Sequence, residues 1–299
     1  MVTKSKNAAG KQKRAVTTKP PGEAQPVNGS GASPSNQDVL RQLYASMLKC
    51  RVLAERAQGL GSGKHAYGYD FDIGQEAMVV GASVELESQD SMVASSRDFA
   101  AHVSRGVSLQ SLLSGAATNG GGHAVVVTDP SPPQAAGCDA FNLGTGLALT
   151  HKLEKKRNVV MALCSKEVPD PDRWHEALKF AGIHKLPIIY VKSSSAFERA
   201  PEERTPALEG LSFMARDCGF PAIVVDGKDA VAVWRVVHES IHRARNGAGP
   251  TLIECETRVS SAGDPLAHME HYLKKRGLWD DQWRRDTANR IDAESKSPR

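Results

Sequence analysis

The sequence predicts an α/β fold with a mainly parallel sheet that carries helices on both faces. Two short apolar runs without polar alternation, at residues 159–164 and 188–191, are typical of strands buried on both sides. A helical stretch that begins near Trp174 connects them, so the three segments form a βαβ unit with parallel strands. Strands and helices then continue to alternate, which extends the same sheet toward the C-terminus.

The other elements follow from helical spacing, capping and β-branched runs. The first helix starts after Ser35 as its N-cap, and its apolar residues recur on one face up to Leu48. A second helix follows Ile-Gly-Gln-Glu-Ala at 73–77, where Glu76 suits the positive end of the helix dipole. The later patterns predict a helix over 208–218, a strand over 222–225, a helix from the cap Asp229 to 245, and a strand over 252–256.

The charge is concentrated at the N-terminus. Residues 1–36 carry six Lys or Arg side chains and one Glu, a net charge of +5, while the whole chain is +4, so the remainder is −1. This composition predicts a disordered basic tail over 1–36, a single domain over 37–291 and a second disordered tail over 292–299. A solvated arm is favoured over a nucleic-acid contact or a mitochondrial transit peptide.

Composition also limits the class of protein. No apolar run approaches the roughly 20 residues of a membrane-spanning helix, and no signal-peptide pattern opens the chain. The five cysteines are scattered and fit neither a zinc ribbon nor a disulfide framework. We therefore expect a cytoplasmic protein in which Cys164 and Cys255, inside predicted strands, are buried reduced thiols.

One short motif suggests a zinc hydrolase. His238-Glu239-Ser240-Ile241-His242 fits H-E-x-x-H, which on a helix places both histidines on one face. A third ligand at metalloprotease spacing is missing between 243 and 251. The apolar neighbours of the motif explain the helix as one that packs on the sheet, and we favour that interpretation.

Several motifs resemble a known family. His-Glu-Ala-Leu-Lys-Phe-Ala-Gly at 175–182 and Lys-Leu-Pro-Ile-Ile-Tyr-Val at 185–191 are similar to the alpha subunit of the thiamine-diphosphate-dependent dehydrogenase component of 2-oxoacid dehydrogenase complexes. The segments 73–77 and 249–254 match the same family, which includes pyruvate, branched-chain and acetoin dehydrogenases. The resemblance runs from about 40 to about 279 and implies a Rossmann-like thiamine-diphosphate-binding fold.

The resemblance also implies a cofactor and partners. Members of the family hold thiamine diphosphate through Mg²⁺, decarboxylate a 2-oxoacid oxidatively and transfer the acyl group to lipoamide. The implied partners are a beta-type subunit, in an α₂β₂ assembly, and the acyltransferase core. In the family the glutamate that activates the cofactor belongs to the beta chain, so no catalytic residue is expected in this chain.

The chain departs from the family at the cofactor site. Gly-Asp-Gly followed by Asn, which carries the metal ligands, is replaced by Ser165-Lys166-Glu167 and then Asp170, while Asn-Asn-x-Tyr is replaced by 194–197. Arg97 matches the arginine that binds the diphosphate, and its guanidinium suits phosphate, although it fits an ordinary pair with Asp98 equally well. Arg97, Lys166 and Asp170 are therefore the candidate cofactor-binding residues, without a metal-ligand set.

Two functions fit these residues. The first is a divergent alpha subunit in which Lys166 contacts the diphosphate as a point charge and magnesium-dependent cofactor binding is impaired. The second is a non-catalytic structural or regulatory paralogue that pairs with a beta-type subunit, with Lys166 in a salt bridge to neighbouring carboxylates. The family also carries a loop with a His-Ser pair after the segment that matches 251–254, and this loop is missing here. The loss of the metal ligand, the strand end and this loop together favours the second function, and magnesium-dependent cofactor binding is expected to be absent or very weak.

Overall fold

The computed structural model describes residues 36–60, 69, 71, 73–95, 98–113, 125–128, 140–164, 171–193, 211–257 and 263–296. The predicted basic tail lies outside them except for Asn36, which begins the first helix. Arg97, Lys166 and Asp170 also lie outside the described residues. No helix in the described part of the chain combines the length and apolarity needed to span a bilayer.

Six parallel strands form one sheet in the order β2-β1-β3-β4-β6-β5. The predicted βαβ unit is confirmed, because β3 and β4 pair in parallel from Val160 with Ile188 to Cys164 with Lys192. The strands are β1 (Ser91–Ser95), β2 (Val125–Thr128), β3 (Val160–Cys164), β4 (Ile188–Ser193), β5 (Ala222–Asp226) and β6 (Thr251–Glu256).

Helices cover both faces of this sheet, as the alternating pattern predicts. The helix that Asp229 caps starts and ends where the sequence places it, and the Asp229 carboxylate accepts from the Val231 and Ala232 amides. The described helices are α1 (Asn36–Leu60), α2 (Glu76–Ser83), α3 (Phe99–Ser104), α4 (Leu109–Leu113), α5 (Ala140–Leu153), α6 (Pro171–Ile183), α7 (Leu211–Asp217), α8 (Ala230–Arg245), α9 (Pro265–Lys275) and α10 (Asp281–Lys296).

The core consists of two apolar clusters separated by the sheet. Because side chains alternate along a strand, Met161 and Leu163 join the cluster under α1, α2, α8 and α9, whereas Val160 and Ala162 join the cluster under α5, α6 and α7. Burial on both faces explains why β3 reads as a continuous apolar run. Cys164 and Cys255 are buried, as predicted.

The sequence patterns do not predict β1, β2 or the start of α5 at Ala140. In β1 only three apolar residues, Met92 to Ala94, separate two serines, which is too short a run to signal a strand. The glycines of α5 read as a loop, yet Gly144 lies inside the helix. There a Cβ would approach the Ala162 Cβ to 3.0 Å, so glycine permits close packing of α5 on β3.

The last helix of the domain extends beyond the predicted domain end at residue 291. The composition predicts a disordered tail from residue 292, but α10 continues to Lys296. Its last turns are bound to α1, because Arg56 donates to the Asp292 carboxylate at 3.1 Å and Lys49 to Glu294 at 2.8 Å. Partners more than 230 residues apart leave no local pattern, so periodicity does not show this contact.

Candidate functional site

The candidate site is the edge where the parallel strands end. The three neighbouring strands β1, β3 and β4 end in Ser95, Cys164 and Ser193. Arg97 follows β1 in the sequence, and Lys166 and Asp170 follow β3; all three lie outside the described residues. In open α/β sheets ligands bind at the carboxyl ends of the strands, which makes this edge the candidate site.

A buried hydroxyl pair joins two strand ends at this edge. The Ser193 and Thr257 hydroxyls lie 2.7 Å apart, and both residues are buried. Each hydroxyl can donate as well as accept, so the pair satisfies polar groups without a charge. Thr257 directly follows β6, and Ser193 is the last residue of β4. The contact therefore holds the chain just after β6 against the end of β4.

A buried ion pair joins β4 and β6 next to the hydroxyl pair. Lys192 is 4% exposed, and its ammonium donates to the Glu254 carboxylate at 3.1 Å. The two residues are register partners in the parallel β4–β6 ladder. The Ser212 hydroxyl of α7 donates to the other Glu254 oxygen at 2.5 Å. The carboxylate therefore has a cation and a hydroxyl bound to it inside the fold.

Sequence reasoning missed Lys192 and Glu254, although both leave a signal. A lysine that continues a β-branched apolar run predicts a buried cation, and such a cation requires a carboxylate nearby. Glu254 likewise lies within a predicted strand, two residues before the end of β6. Only the pairing of β4 with β6 shows that they meet, because the residues are 62 positions apart.

Aromatic residues support the site from the α5–α6 side. Trp174 is buried and stacks on Phe141 with 4.2 Å between ring centroids. The Tyr190 hydroxyl lies 2.7 Å from the Thr145 hydroxyl, and burial raises the pKa of Tyr190. These contacts hold α5 and α6 against β4. His175, in contrast, is exposed.

Asp98 shows how the loop after β1 is held. Its carboxylate accepts from the Ala101 amide at 3.1 Å and caps α3, and the residue is 3% exposed. A buried cap fixes the backbone one residue beyond Arg97. The predicted roles of Arg97, anion binding or pairing with Asp98, concern a side chain outside the described residues and stay predictions.

The Ile-Gly-Gln-Glu-Ala segment forms a second buried electrostatic centre. Glu76, 3% exposed, starts α2 and accepts from Arg51 of α1 at 2.5 and 3.1 Å. The same guanidinium donates to Asp264 at 2.6 Å, and the Gly74 amide donates to Glu76 at 3.0 Å. Burial by itself lowers the pKa of the Arg51 guanidinium. The hydrogen bonds to Glu76 and Asp264 favour its charged form, and the pKa is raised overall. Arg51 therefore joins α1 to the start of α2, through Glu76, and to the start of α9, through Asp264.

The H-E-x-x-H residues lie elsewhere, on the exposed face of α8. His238 is 59% exposed and contacts Glu85, while Glu239 and His242 are also exposed. Among the residues that the structure describes, no group of three or more His, Cys, Asp or Glu side chains is placed to hold a metal ion. The helix packs on the sheet through Val233, Val237 and Ile241, the role favoured from the sequence.

The described residues define an α/β protein with a parallel sheet and two buried ion-pair centres close to its helices. A family profile described as "Dehydrogenase E1 component" matches residues 44–260. The match covers well over half of the chain, and the chain belongs to that family. It confirms the resemblance predicted from 73–77, 175–191 and 249–254.

Three similar proteins come from Bacillus subtilis (strain 168). The alpha subunit of acetoin:2,6-dichlorophenolindophenol oxidoreductase is 31% identical, over 72% of this chain and 68% of that protein. The alpha subunit of 2-oxoisovalerate dehydrogenase is 29% identical, over 80% and 83%. The alpha subunit of the pyruvate dehydrogenase E1 component is 27% identical, over 86% and 76%.

A solved structure from Mycobacterium smegmatis, provisionally described as a thiamin diphosphate-dependent enzyme, aligns with a TM-score of 0.41 and 16% identity. The alignment covers 62% of this chain and 32% of that one, so this chain spans about a third of its length.

Proposed function

We propose that this chain is the alpha-type subunit of a 2-oxoacid dehydrogenase component and that it binds thiamine diphosphate with little help from magnesium. The family match and the names of the relatives support the first part. The proposed weak dependence on magnesium is supported by the ends of β1, β3 and β4. Their last residues, Ser95, Cys164 and Ser193, provide no carboxylate, and carboxylates are the protein ligands that Mg²⁺ prefers.

The residues of this chain that would hold the cofactor are Arg97, Lys166 and Asp170. A guanidinium and an ammonium suit the diphosphate, whereas Asp170 alone is a poor magnesium site. Glu254 is not available as a replacement ligand, since its two oxygens accept from Lys192 and Ser212. When bound, thiamine diphosphate would supply the chemistry of decarboxylation, and this chain would bind and orient its diphosphate.

The proposed partner is a beta-type subunit in an α₂β₂ assembly in the cytoplasm, with the acyltransferase core as the acceptor of the acyl group. A beta-type chain is needed because in the family the glutamate that activates the cofactor belongs to the beta chain.

The test starts with the tagged chain isolated from its own cells, with co-purifying chains identified by mass spectrometry and bound thiamine diphosphate assayed. A beta-type chain with cofactor is the expected result. The purified complex is then titrated with thiamine diphosphate with and without Mg²⁺, and we expect Mg²⁺ to change the affinity less than about tenfold. Micromolar affinity that is lost without Mg²⁺ contradicts the proposal.

Lys166 provides the matched variants. Lys166→Asp restores the carboxylate of the family, and we expect it to raise the magnesium dependence of binding by about tenfold or more. Lys166→Met removes the charge without adding a ligand, so it should weaken cofactor binding equally with and without Mg²⁺. Equal behaviour of the two variants argues against a role for Lys166 at the diphosphate.

The second candidate is a non-catalytic subunit that pairs with a beta-type chain. The replacement of a metal-ligating carboxylate by Lys166 favours it, because a cation there repels Mg²⁺. A co-purifying beta-type chain without thiamine diphosphate, and with no binding upon titration, selects this candidate. Isolation of neither partner nor cofactor contradicts both.

A further inference from the structure

Two histidines, His238 and His242, lie on the exposed face of α8. His238 and His242 are four residues apart on the helix, so they project from one face a turn apart. Both are exposed, and neither belongs to the apolar cluster beneath α8. Two imidazoles at this spacing on a helix are a known chelating arrangement for Zn²⁺ and similar ions.

A carboxylate orients the first of these histidines. Glu85, in the turn after α2, places one carboxylate oxygen 2.6 Å from Nδ1 of His238. Its other oxygen accepts from the indole Nε1 of Trp234 at 2.5 Å, and Trp234 is buried. A carboxylate on Nδ1 favours the tautomer with the proton there, which leaves the Nε2 lone pair available to a metal.

We propose that His238 and His242 form a binding site for a divalent transition-metal ion, with Glu85 as the carboxylate that orients His238. Imidazole ligands suit Zn²⁺, Ni²⁺ and Cu²⁺. With two protein ligands, the remaining coordination positions hold water or a group from outside the chain, which agrees with the lack of a larger metal-ligand group among the described residues. The site is a chelate, not a peptidase centre.

One contact must give way when the ion binds. The Asn246 side-chain amide lies 3.3 Å from Nδ1 and 3.4 Å from Nε2 of His242. Asn246 is exposed at the end of α8, so its side chain can turn into solvent at small cost. Asn246→Ala removes this competitor and should bind the ion at least as tightly as the unchanged chain.

The site would join two helices that are already tightly packed. A Cβ on Gly81 of α2 would lie 2.9 Å from the Val233 Cβ of α8, so the helices approach closely there. Glu85 follows α2, and its hydrogen bonds with Trp234 and His238 continue that contact to the surface. A bound ion would favour the Glu85–His238 hydrogen bond and so stabilise the α2–α8 contact.

Nickel is a suitable probe. The full-length chain, freed of its tag and of metal, is titrated with Ni²⁺ by calorimetry while tryptophan fluorescence is recorded. The Trp234 and His238 ring centroids are 6.1 Å apart, so a paramagnetic ion at His238 should quench Trp234. We expect one site per chain, with an affinity that falls tenfold or more in His238→Ala and in His242→Ala.

Three variants make the test specific. Glu85→Gln should weaken Ni²⁺ binding by about tenfold without abolishing it, which is typical of an orienting carboxylate. Trp234→Phe should remove the quenching and keep the calorimetric site. The double variant His268→Ala/His271→Ala alters the exposed histidines of α9 and should bind as the unchanged chain does. Equal Ni²⁺ affinity in the unchanged chain and in His238→Ala overturns the proposal, and circular dichroism verifies that each variant is folded.

Discussion

The two edges of the sheet differ in how they satisfy buried polar groups. At the amino edge one carboxylate, Asp90, is 1% exposed and accepts from the Val159 amide, the Glu87 amide and Arg245. At the carboxyl edge the described polar groups are a hydroxyl pair and a lysine whose charge Glu254 balances. The Asp90 side chain therefore joins the start of β3, the turn before β1 and the end of α8 at the amino edge.

Arg105 extends the network at the amino edge. It is buried, and its guanidinium donates to the Leu86, Glu87 and Asp90 carbonyl oxygens at 3.1 to 3.3 Å. Burial lowers the pKa of Arg105. These hydrogen bonds stay inside the protein. We infer that the amino edge contributes to stability, whereas the carboxyl edge is the side to which the proposed function assigns binding.

Asp90→Ala is the strongest test of this assignment. The substitution leaves Arg245 without its buried partner and the Val159 amide without an acceptor, so the free energy of unfolding should fall by about 3–5 kcal/mol. Denaturant unfolding monitored by circular dichroism measures the change. Glu87→Ala is the control: Glu87 also pairs with Arg245 but its side chain is 53% exposed, so its loss should cost less than about 1 kcal/mol. Equal costs for the two variants contradict the assignment.

Lys192→Met tests the carboxyl edge and should have the next largest effect. It leaves the Glu254 carboxylate, 17% exposed, with the Ser212 hydroxyl as its remaining described donor, which should cost about 3 kcal/mol. The double variant Lys192→Met/Glu254→Leu removes both charges and should recover most of that loss. If the double variant is less stable than the single one, the pair contributes more than charge balance.

The comparison also shows which features a sequence can predict. Local patterns predict the elements that are fully buried or clearly capped. The apolar runs at β3 and β4 predict the central βαβ unit, and the cap at Asp229 predicts α8. The amino-edge network could not be predicted, because Asp90 and Arg245 are 155 residues apart and each reads as a surface charge. At the candidate site, the family motif identifies Arg97, while the Lys192–Glu254 pair requires the register of β4 and β6.

A double-mutant cycle on the hydroxyl pair should show a smaller effect. Ser193→Ala and Thr257→Val should each lower the free energy of unfolding by about 1–2 kcal/mol, because each leaves a buried hydroxyl without this partner. The double variant should lose less than the sum, with a coupling energy of about 1 kcal/mol. Strict additivity would mean that the 2.7 Å contact does not contribute to stability.

His151 provides the smallest expected effect and the one that depends on pH. It lies at the amino edge, with Nε2 3.1 Å from the Ser91 hydroxyl, and burial, together with Lys156, lowers its pKa below the ordinary 6.5. The unfolded chain therefore binds a proton near pH 6.5 that the folded chain binds only at lower pH. Stability should be constant above this pH and fall as the pH drops below it, by at most about 1.4 kcal/mol per pH unit for one proton.

His151→Gln isolates this proton, because glutamine keeps a polar contact for Ser91 but does not titrate. We expect the decline in the free energy of unfolding just below pH 6.5 to become shallower in this variant than in the unchanged chain. His175→Gln, at an exposed position on α6, should leave the decline unchanged. A decline that persists in His151→Gln means that another group of the amino edge takes up the proton, and Asp90, whose carboxylate accepts three hydrogen bonds there, is the next residue to replace.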